Sequence, residues 1–244
     1  MLGRVAHRGP DDQGSVRVNG SWLGHTRLSI VDVESGRQPL GGDEFGLWLV
    51  GNGEVYNHED VRASLDNAPY LTRSDNEVAL HLLRQRGPLA LDELEGMFAF
   101  LAAGADGTFI AARDPVGIKP LYWARNGETA VFASEIGAFA PELLPDVESF
   151  PPGHQWTPEG GLKRFADAVP VEGREAAEGE QRPPSPSDRV ETREILIQSV
   201  RRQLMGDVPV GVFLSGGLDS SLIAAIAAKL AVEEGEQLLS LIHI

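Results

Sequence analysis

Between residues 210 and 221 the chain reads Val210-Gly211-Val212-Phe213-Leu214-Ser215-Gly216-Gly217-Leu218-Asp219-Ser220-Ser221. The first five residues are mostly large or β-branched apolar residues, which predicts a buried strand. Two glycines then lead into an apolar stretch, residues 222–230, that is typical of a helix. A glycine turn from a strand into a helix N-terminus gathers backbone N–H groups. Since the helix dipole adds positive potential there, the turn suits a phosphate group.

This loop lacks the Gly-Lys-Ser/Thr of a Walker A sequence. It resembles instead the pyrophosphate-binding loop, Ser-Gly-Gly-x-Asp-Ser, of the ATP pyrophosphatase superfamily, whose members cleave ATP between the α and β phosphates. An ordinary glycine turn would not explain both serines and the aspartate at the motif's positions. The resemblance implies that ATP is bound by Leu214, Ser215, Gly216, Gly217, Asp219 and Ser220. Because a carboxylate beside phosphates needs a bridging cation, we expect Mg²⁺ at Asp219.

Composition narrows the class of protein. The chain has 244 residues, a formal net charge of −15 and no cysteine. A strongly acidic chain without a basic patch argues against a nucleic-acid partner. No apolar run is long enough to span a membrane, and the N-terminus has no signal-peptide pattern. With no cysteine for disulfides, we expect a cytoplasmic protein with small-molecule partners and leave homodimerisation open.

Three regions follow one another along the sequence. Residues 1–165 alternate short strands, turns and a few helices, which predicts an α+β domain. Residues 166–187 are acidic, then proline-rich, and are typical of a linker. Residues 188–244 hold the loop-bearing strand, with a predicted strand at 238–244 after it. A helix is predicted before it at 187–204, with Val190, Leu196, Ile197, Val200 and Leu204 roughly along one apolar face. Strand, helix and strand at this spacing predict the first βαβ unit of a parallel α/β sheet.

Within the first region, hydrophobic periodicity and turn-forming residues predict individual helices and strands. A helix is predicted at Glu77–Arg86, with a broad apolar face and Asp75 as its N-cap. Five strands are predicted at Phe45–Val50, Phe98–Ala102, Phe109–Arg113, Leu121–Ala124 and Val131–Ser134.

Polar side chains gather near the ends of these strands. Arg27 can hold a carboxylate bidentately, while Glu54 and Asp75 can receive an ammonium group. The Asn52 amide and the Gly53 N–H can together stabilise an oxyanion. This set suits an amino acid with a side-chain amide, such as glutamine. Each residue alone has a plainer explanation, because Asn-Gly is a strong hairpin signal and Asp75 can be only a helix cap.

Taken in order, these residues resemble the class II glutamine amidotransferase domain, an N-terminal-nucleophile fold, through almost all of residues 1–155. The matching stretches are His7–Asp11, Arg27–Asp32, Gln38-Pro39, Asn52–Asn57, Ser74–Glu77, Gly96–Phe100, Arg113–Tyr122 and Ala133–Glu135. The resemblance implies that glutamine is bound by Arg27, Leu28, Ser29, Ile30, Val31, Asn52, Gly53, Glu54 and Asp75. It also implies that Asn52 and Gly53 form the oxyanion hole.

One requirement of that family is missing. Its nucleophile is a cysteine exposed at the N-terminus, with the free α-amine as base. Here Leu2 stands at the second position and the chain has no cysteine. We expect the first strands, with that cysteine, to be absent from this sequence; a decayed glutaminase is the alternative. In either case, the chain as written should not hydrolyse glutamine.

The two regions together resemble the glutamine-hydrolysing asparagine synthetase family. The resemblance implies ATP-dependent adenylylation of aspartate, followed by displacement of AMP by ammonia from glutamine. Few residues follow Ser221, so we expect the synthetase domain to be incomplete. Two alternatives stay open: a related enzyme that acts on another carboxylate, such as a β-lactam-forming synthetase, and a non-catalytic remnant.

Overall fold

A computed structural model provides the structure of this protein. It describes residues 1–127, 129–169, 183–235 and 238–241. The chain divides into two compact units, Met1–Pro170 and Val171–Ile244. Most of the predicted linker, residues 170–182, and the last three residues of the strand predicted at 238–244 lie outside the described residues. None of the helices in the described ranges is long and apolar enough to cross a membrane.

Antiparallel strands build the first unit. The strands are β1 (Asp12–Val18), β2 (Ser21–Arg27), β3 (Leu40–Gly42), β4 (Leu47–Val55), β5 (Gly96–Gly104), β6 (Phe109–Arg113), β7 (Tyr122–Asn126), β8 (Thr129–Ala133), β9 (Glu148–Ser149), β10 (His154–Thr157) and β11 (Gly161–Arg164). Two α-helices, α1 (His58–Ser64) and α2 (Glu77–Arg86), accompany them. Six strands form one sheet in the order β11-β10-β6-β5-β4-β3, beside a β1-β2 pair and a β8-β7-β9 sheet.

The core of this unit lies on both faces of the six-stranded sheet. Phe98 and Phe100 of β5 belong to the same buried cluster as Val78 of α2. Ala99, between them, belongs to a second cluster that contains Phe132 of β8. Successive residues of a strand point to opposite faces, so β5 must be apolar on both. This explains why its sequence is a continuous apolar run.

The predicted elements of the first unit are largely confirmed. The strand at Phe109–Arg113 and the helix at Glu77–Arg86 have the predicted bounds. The strand predicted at Phe45–Val50 is wrong in both bounds: the observed strand, Leu47–Val55, starts two residues later and ends five residues later. The later start is caused by a 3₁₀ turn, Asp43–Phe45, which is capped by Gly46, whose φ of 68° suits glycine. The other three predicted strands correspond to β5, β7 and β8, with bounds that differ by one or two residues.

The second unit contains α3 (Pro186–Gln203), β12 (Gly211–Phe213), α4 (Leu218–Glu234) and β13 (Leu239–Leu241). β12 and β13 pair in parallel across α4, which confirms the predicted βαβ unit. The helix predicted at residues 187–204 is confirmed as α3. Ser185 caps it: its hydroxyl accepts a hydrogen bond from the Asp188 N–H in a capping box.

Two burial predictions for this unit are wrong. Phe213, predicted to lie in a buried strand, is 78% exposed. Within the described residues β12 has β13 as its strand neighbour and no element covers Phe213. Val190, predicted on the apolar face of α3, is 58% exposed, because that face meets α4 further along, at Val200.

Candidate functional site

A cavity of about 310 Å³ opens in the first unit. It has the size and the mixture of apolar walls with a few polar groups that small-molecule sites have. The structure brings eight of the nine predicted glutamine residues to its wall: Arg27, Leu28, Ile30, Val31, Asn52, Gly53, Glu54 and Asp75. Ser29 is not part of the lining, and its backbone N–H donates to Asp11 Oδ2 at 2.8 Å.

The edge of β4 forms one side of the cavity. β3 pairs with β4 at residues 47–49, and among the described strands none continues this pairing along residues 51–55. Side chains take the neighbour's place. The Gly51 N–H donates to Gln38 Oε1 at 2.7 Å, and the Gly51 carbonyl accepts from Gln38 Nε2 at 3.0 Å and from His25 Nε2 at 3.1 Å.

Further along the same edge, the Gly53 carbonyl accepts from Asn76 Nδ2 at 3.0 Å. Phe98, opposite Gly53 in the register, directs its own N–H and carbonyl to Asp114. Within the described part of the chain the Gly53 N–H therefore has no hydrogen-bond partner. It lies at the cavity as a free donor. The position also requires glycine, since a Cβ there would lie 2.6 Å from the Met97 carbonyl oxygen.

Asn52 provides a second free donor. Its Nδ2 is buried without a hydrogen-bond partner among the described residues. A buried donor left unpaired costs about 1–3 kcal/mol, so such atoms usually have a function. Together with the Gly53 N–H, it gives the pair of donors that an oxyanion hole requires.

Two carboxyl groups, Glu54 and Asp75, line the same cavity. Burial raises the pKa of Glu54 to about 7, the charge of Asp75 adds to the rise, and Lys119 opposes it. Burial also raises the pKa of Asp75. Neither forms an ion pair within the described ranges, so in their ionised forms the two carboxylates can receive an ammonium group.

Asp75 is not the cap of α2, and that prediction is wrong. Asn76 occupies the N-cap position, and no side chain there makes a capping hydrogen bond. Asp75 Oδ2 instead accepts the Val55 N–H at 2.7 Å, and Oδ1 accepts from Asn76 Nδ2. The carboxylate thus extends the row of side chains along the edge of β4.

Arg27 is 6% exposed and is engaged mainly with its own loop. Its Nη2 donates to the carbonyls of Val31 at 3.0 Å and Asp32 at 2.7 Å, and its Nη1 donates to that of Val33 at 3.2 Å. Since a guanidinium carries five N–H groups, Nε and one hydrogen of Nη1 remain for a ligand. The side chain therefore shapes the wall and keeps donors for a carboxylate.

Lys119 reaches the cavity from a loop that Asp114 and Arg113 hold. Asp114 accepts the N–H groups of Gly117 at 2.6 Å and Lys119 at 3.0 Å. Arg113 donates to the carbonyls of the same two residues at 2.8 and 2.7 Å. This ring of hydrogen bonds fixes the position at which the lysine enters the site.

Among the lining residues that sequence reasoning missed, four side chains hold the edge of β4 or add charge to the cavity: His25, Gln38, Asn76 and Lys119. For His25 a signal existed. It lies two residues before Arg27 in β2, and alternate residues of a strand share a face. The other three lie in stretches that matched the amidotransferase domain, but nothing in their local pattern indicates a contact with β4.

In the second unit the predicted phosphate loop lies between β12 and α4. Gly216 has a φ of 79°, and Gly217 is the N-cap of the 17-residue helix α4. Ser215 Oγ and Ser220 Oγ lie 2.9 Å apart, and Ser220 Oγ donates to the Gly217 carbonyl at 3.1 Å. Asp219, in the first turn of the helix, is exposed.

Comparison with known sequences agrees with this geometry. Residues 1–152 match the sequence model of the glutamine amidotransferase domain family. The chain belongs to this family. Residues 191–238 match a second family model, that of asparagine synthase. The amidotransferase match contains every residue of the cavity named above, and the synthase match contains the glycine loop.

Two relatives of this chain have the names of asparagine synthetases. The chain is 42% identical over 230 residues to asparagine synthetase [glutamine-hydrolyzing] 2 of Arabidopsis thaliana. It is 43% identical over 233 residues to a probable asparagine synthetase of Schizosaccharomyces pombe. Each alignment covers 93% of this chain but 38% and 40% of the relative. The predicted resemblance is confirmed, and the chain spans about two fifths of the length of these relatives.

A solved structure confirms the predicted fold. The glutamine phosphoribosylpyrophosphate amidotransferase from B. subtilis matches with a TM-score of 0.56 and 24% identity. The match covers 97% of this chain and 61% of that protein. The first unit is therefore the α+β fold of the N-terminal-nucleophile glutamine amidotransferases.

Proposed function

We propose that this chain serves in a glutamine-hydrolysing asparagine synthetase, in which ammonia from glutamine converts aspartate to asparagine with ATP. The observation that carries the proposal is the pair of donors, Gly53 and Asn52, in one cavity with two carboxyl groups that form no ion pair within the described residues. The names of the relatives support aspartate as the acceptor.

In this proposal each polar group of the cavity receives one part of glutamine. Glu54 and Asp75 take the α-ammonium group, and the remaining N–H groups of Arg27 take the α-carboxylate. The side-chain carbonyl oxygen accepts from the Gly53 N–H and Asn52 Nδ2, which would stabilise the negative charge that develops when the amide is attacked. The chain has no cysteine, so it does not itself supply the thiol nucleophile.

The pKa of Glu54 gives this proposal its test. Below pH 7 the carboxyl is mostly neutral and attracts an ammonium group weakly, whereas above pH 7 it is charged. The dissociation constant for L-glutamine, measured by titration calorimetry, should fall about fivefold to tenfold between about pH 6 and pH 8, the value of one added ion pair. The Glu54→Gln variant should bind L-glutamine weakly at both pH values, because it lacks the carboxylate that becomes charged.

A ligand without the α-amino group is the control for that titration. 4-Carbamoylbutanoate keeps the amide and the carboxylate, so its affinity should not change between the two pH values. Wild-type protein that binds no glutamine at either pH would contradict the proposed function. An equal pH response for both ligands would contradict the part assigned to Glu54.

The glycine loop of the second unit is proposed to hold the pyrophosphate part of ATP. Its support is the strand-to-helix geometry, with Gly216 at positive φ and Gly217 at the start of α4. Among the described residues no group of three or more acidic or histidine side chains could hold a metal ion. Asp219 fits Mg²⁺ nonetheless, since this ion often takes one carboxylate together with substrate phosphates. The cation would neutralise the phosphate charge.

Pyrophosphate is the probe for this loop. Asp219→Asn should weaken binding of pyrophosphate about tenfold in the presence of Mg²⁺ and have little effect in EDTA, because the carboxylate acts only through the cation. Glu233→Gln, at the far end of α4, is the matched control. Loss of binding in both variants, or in neither, would contradict the role of Asp219.

A further inference from the structure

Beyond its pairing with β3, the edge of β4 has backbone N–H and carbonyl groups that need partners other than a strand. An unpaired strand edge leaves its N–H and carbonyl groups without partners and its backbone free to shift. Here the Gly53 N–H lies two residues beyond Gly51, whose contacts on that edge are made by side chains alone. Asn76 holds the Gly53 carbonyl from the far side. The position of the donor therefore depends in part on how firmly Gly51 is held.

Gln38 holds Gly51 as a strand residue would. Its Oε1 accepts the Gly51 N–H and its Nε2 donates to the Gly51 carbonyl, which reproduces the two bonds of a hydrogen-bonded pair in an antiparallel ladder. Gln38 is 9% exposed, so water competes little for these bonds. Over one face of the sheet, a Cβ on Gly51 would lie 2.6 Å from the Phe100 ring, so the ring packs closely on this peptide.

His25 adds a third bond to the same residue. A carbonyl oxygen only accepts, so the His25 Nε2 that lies 3.1 Å from it carries the hydrogen. Burial lowers the pKa of His25 to about 4, which keeps the ring neutral at physiological pH. The ring therefore contributes a fixed donor and places no positive charge beside Arg27.

We infer that Gln38 and His25 are positioning residues that fix Gly51 and thereby aim the Gly53 N–H and the Asn52 amide at the side-chain carbonyl oxygen of the ligand. The inference rests on the proposed glutamine site. It concerns two residues whose hydrogen bonds to β4 are made at Gly51, and it assigns them to recognition of the carbonyl. The α-ammonium and α-carboxylate groups of the ligand are bound by other side chains, so their binding should not depend on Gln38 or His25.

Two ligands distinguish contacts with the side-chain carbonyl from contacts with the α-groups. L-Glutamine has the carbonyl oxygen, whereas L-norvaline has the same α-groups and chain length without it. In wild-type protein glutamine should bind more tightly than norvaline. His25→Phe, which leaves the Gly51 carbonyl bonded to Gln38 and so should fold, should reduce glutamine affinity about threefold to tenfold and leave norvaline affinity unchanged. Gln38→Leu should reduce the affinity for glutamine further than His25→Phe does. Gln38→Glu keeps the acceptor for the Gly51 N–H, so its affinity for glutamine should lie between those of Gln38→Leu and wild-type protein.

Exposed Gln13→Leu on β1 is the surface control. The shift of the Gly53 amide proton on titration with glutamine gives a direct readout, and it should shrink in His25→Phe. If wild-type protein binds no glutamine, the proposed function fails and the inference with it. If wild-type protein prefers glutamine and the variants keep that preference, or lose affinity for both ligands equally, the inference alone is overturned.

Discussion

Asp114→Ala should lower the free energy of unfolding of the first unit by about 4 kcal/mol, the largest stability effect that we expect. Asp114 is fully buried, and its carboxylate accepts four backbone N–H groups. The donors are Phe98 at 3.2 Å, Gly117 at 2.6 Å, Ile118 at 2.9 Å and Lys119 at 3.0 Å. Each buried donor left unpaired costs about 1–3 kcal/mol, and partial entry of water reduces the sum.

Urea denaturation followed by tryptophan fluorescence measures this effect, since Trp156 belongs to a buried cluster of the same unit and the partly buried Trp123 packs against it. Asp106→Ala is the matched control. Asp106 also accepts a backbone N–H, that of Thr108 at 2.9 Å, but in an exposed turn. Its loss should cost about 0.5 kcal/mol or less. Similar losses in the two variants would show that the buried ring around Asp114 carries no special stability.

Elements with a strong local pattern could be predicted from the sequence. The helix at Glu77–Arg86 has a regular apolar face, and β6 is a short apolar run between turn residues. Local pattern also explains the error at Asp75, because an acidic residue before a helix is typical of a cap. Its actual partner, the Val55 N–H, lies twenty residues earlier in the chain. No local pattern carries that information.

The candidate site shows the same limit. The order of motifs, more than the chemistry of any one residue, brought Arg27, Asn52 and Asp75 into one hypothesis, and the structure places them in one cavity. What the sequence did not show is which groups remain free. Within the described residues the Gly53 N–H has no partner because the pairing of β3 with β4 stops at Leu49 and the Gln38 side chain bonds Gly51 instead. Tertiary contacts of this kind decide where an oxyanion hole can form.

Arg27→Lys should impair both the fold of the cavity wall and ligand binding. The Arg27 guanidinium donates hydrogen bonds to three carbonyls of the loop that follows β2. The single ammonium group of a lysine cannot reproduce the planar arrangement of those donors. We expect a loss of about 2 kcal/mol in the free energy of unfolding. We also expect a loss of roughly thirtyfold in affinity for L-glutamine, which corresponds to about 2 kcal/mol, because the donors for the α-carboxylate move with the loop.

Arg17→Lys on β1 separates this effect from a general sensitivity to the substitution, since Arg17 is exposed and should tolerate the change. Urea denaturation and titration calorimetry, performed on both variants, give the two quantities. The two possible functions of Arg27 predict different results. If it only supports the loop, affinities for L-glutamine and for its α-amide, which lacks the carboxylate, should fall by the same factor. If it also binds the carboxylate, as we propose, the substitution should weaken L-glutamine more than the α-amide.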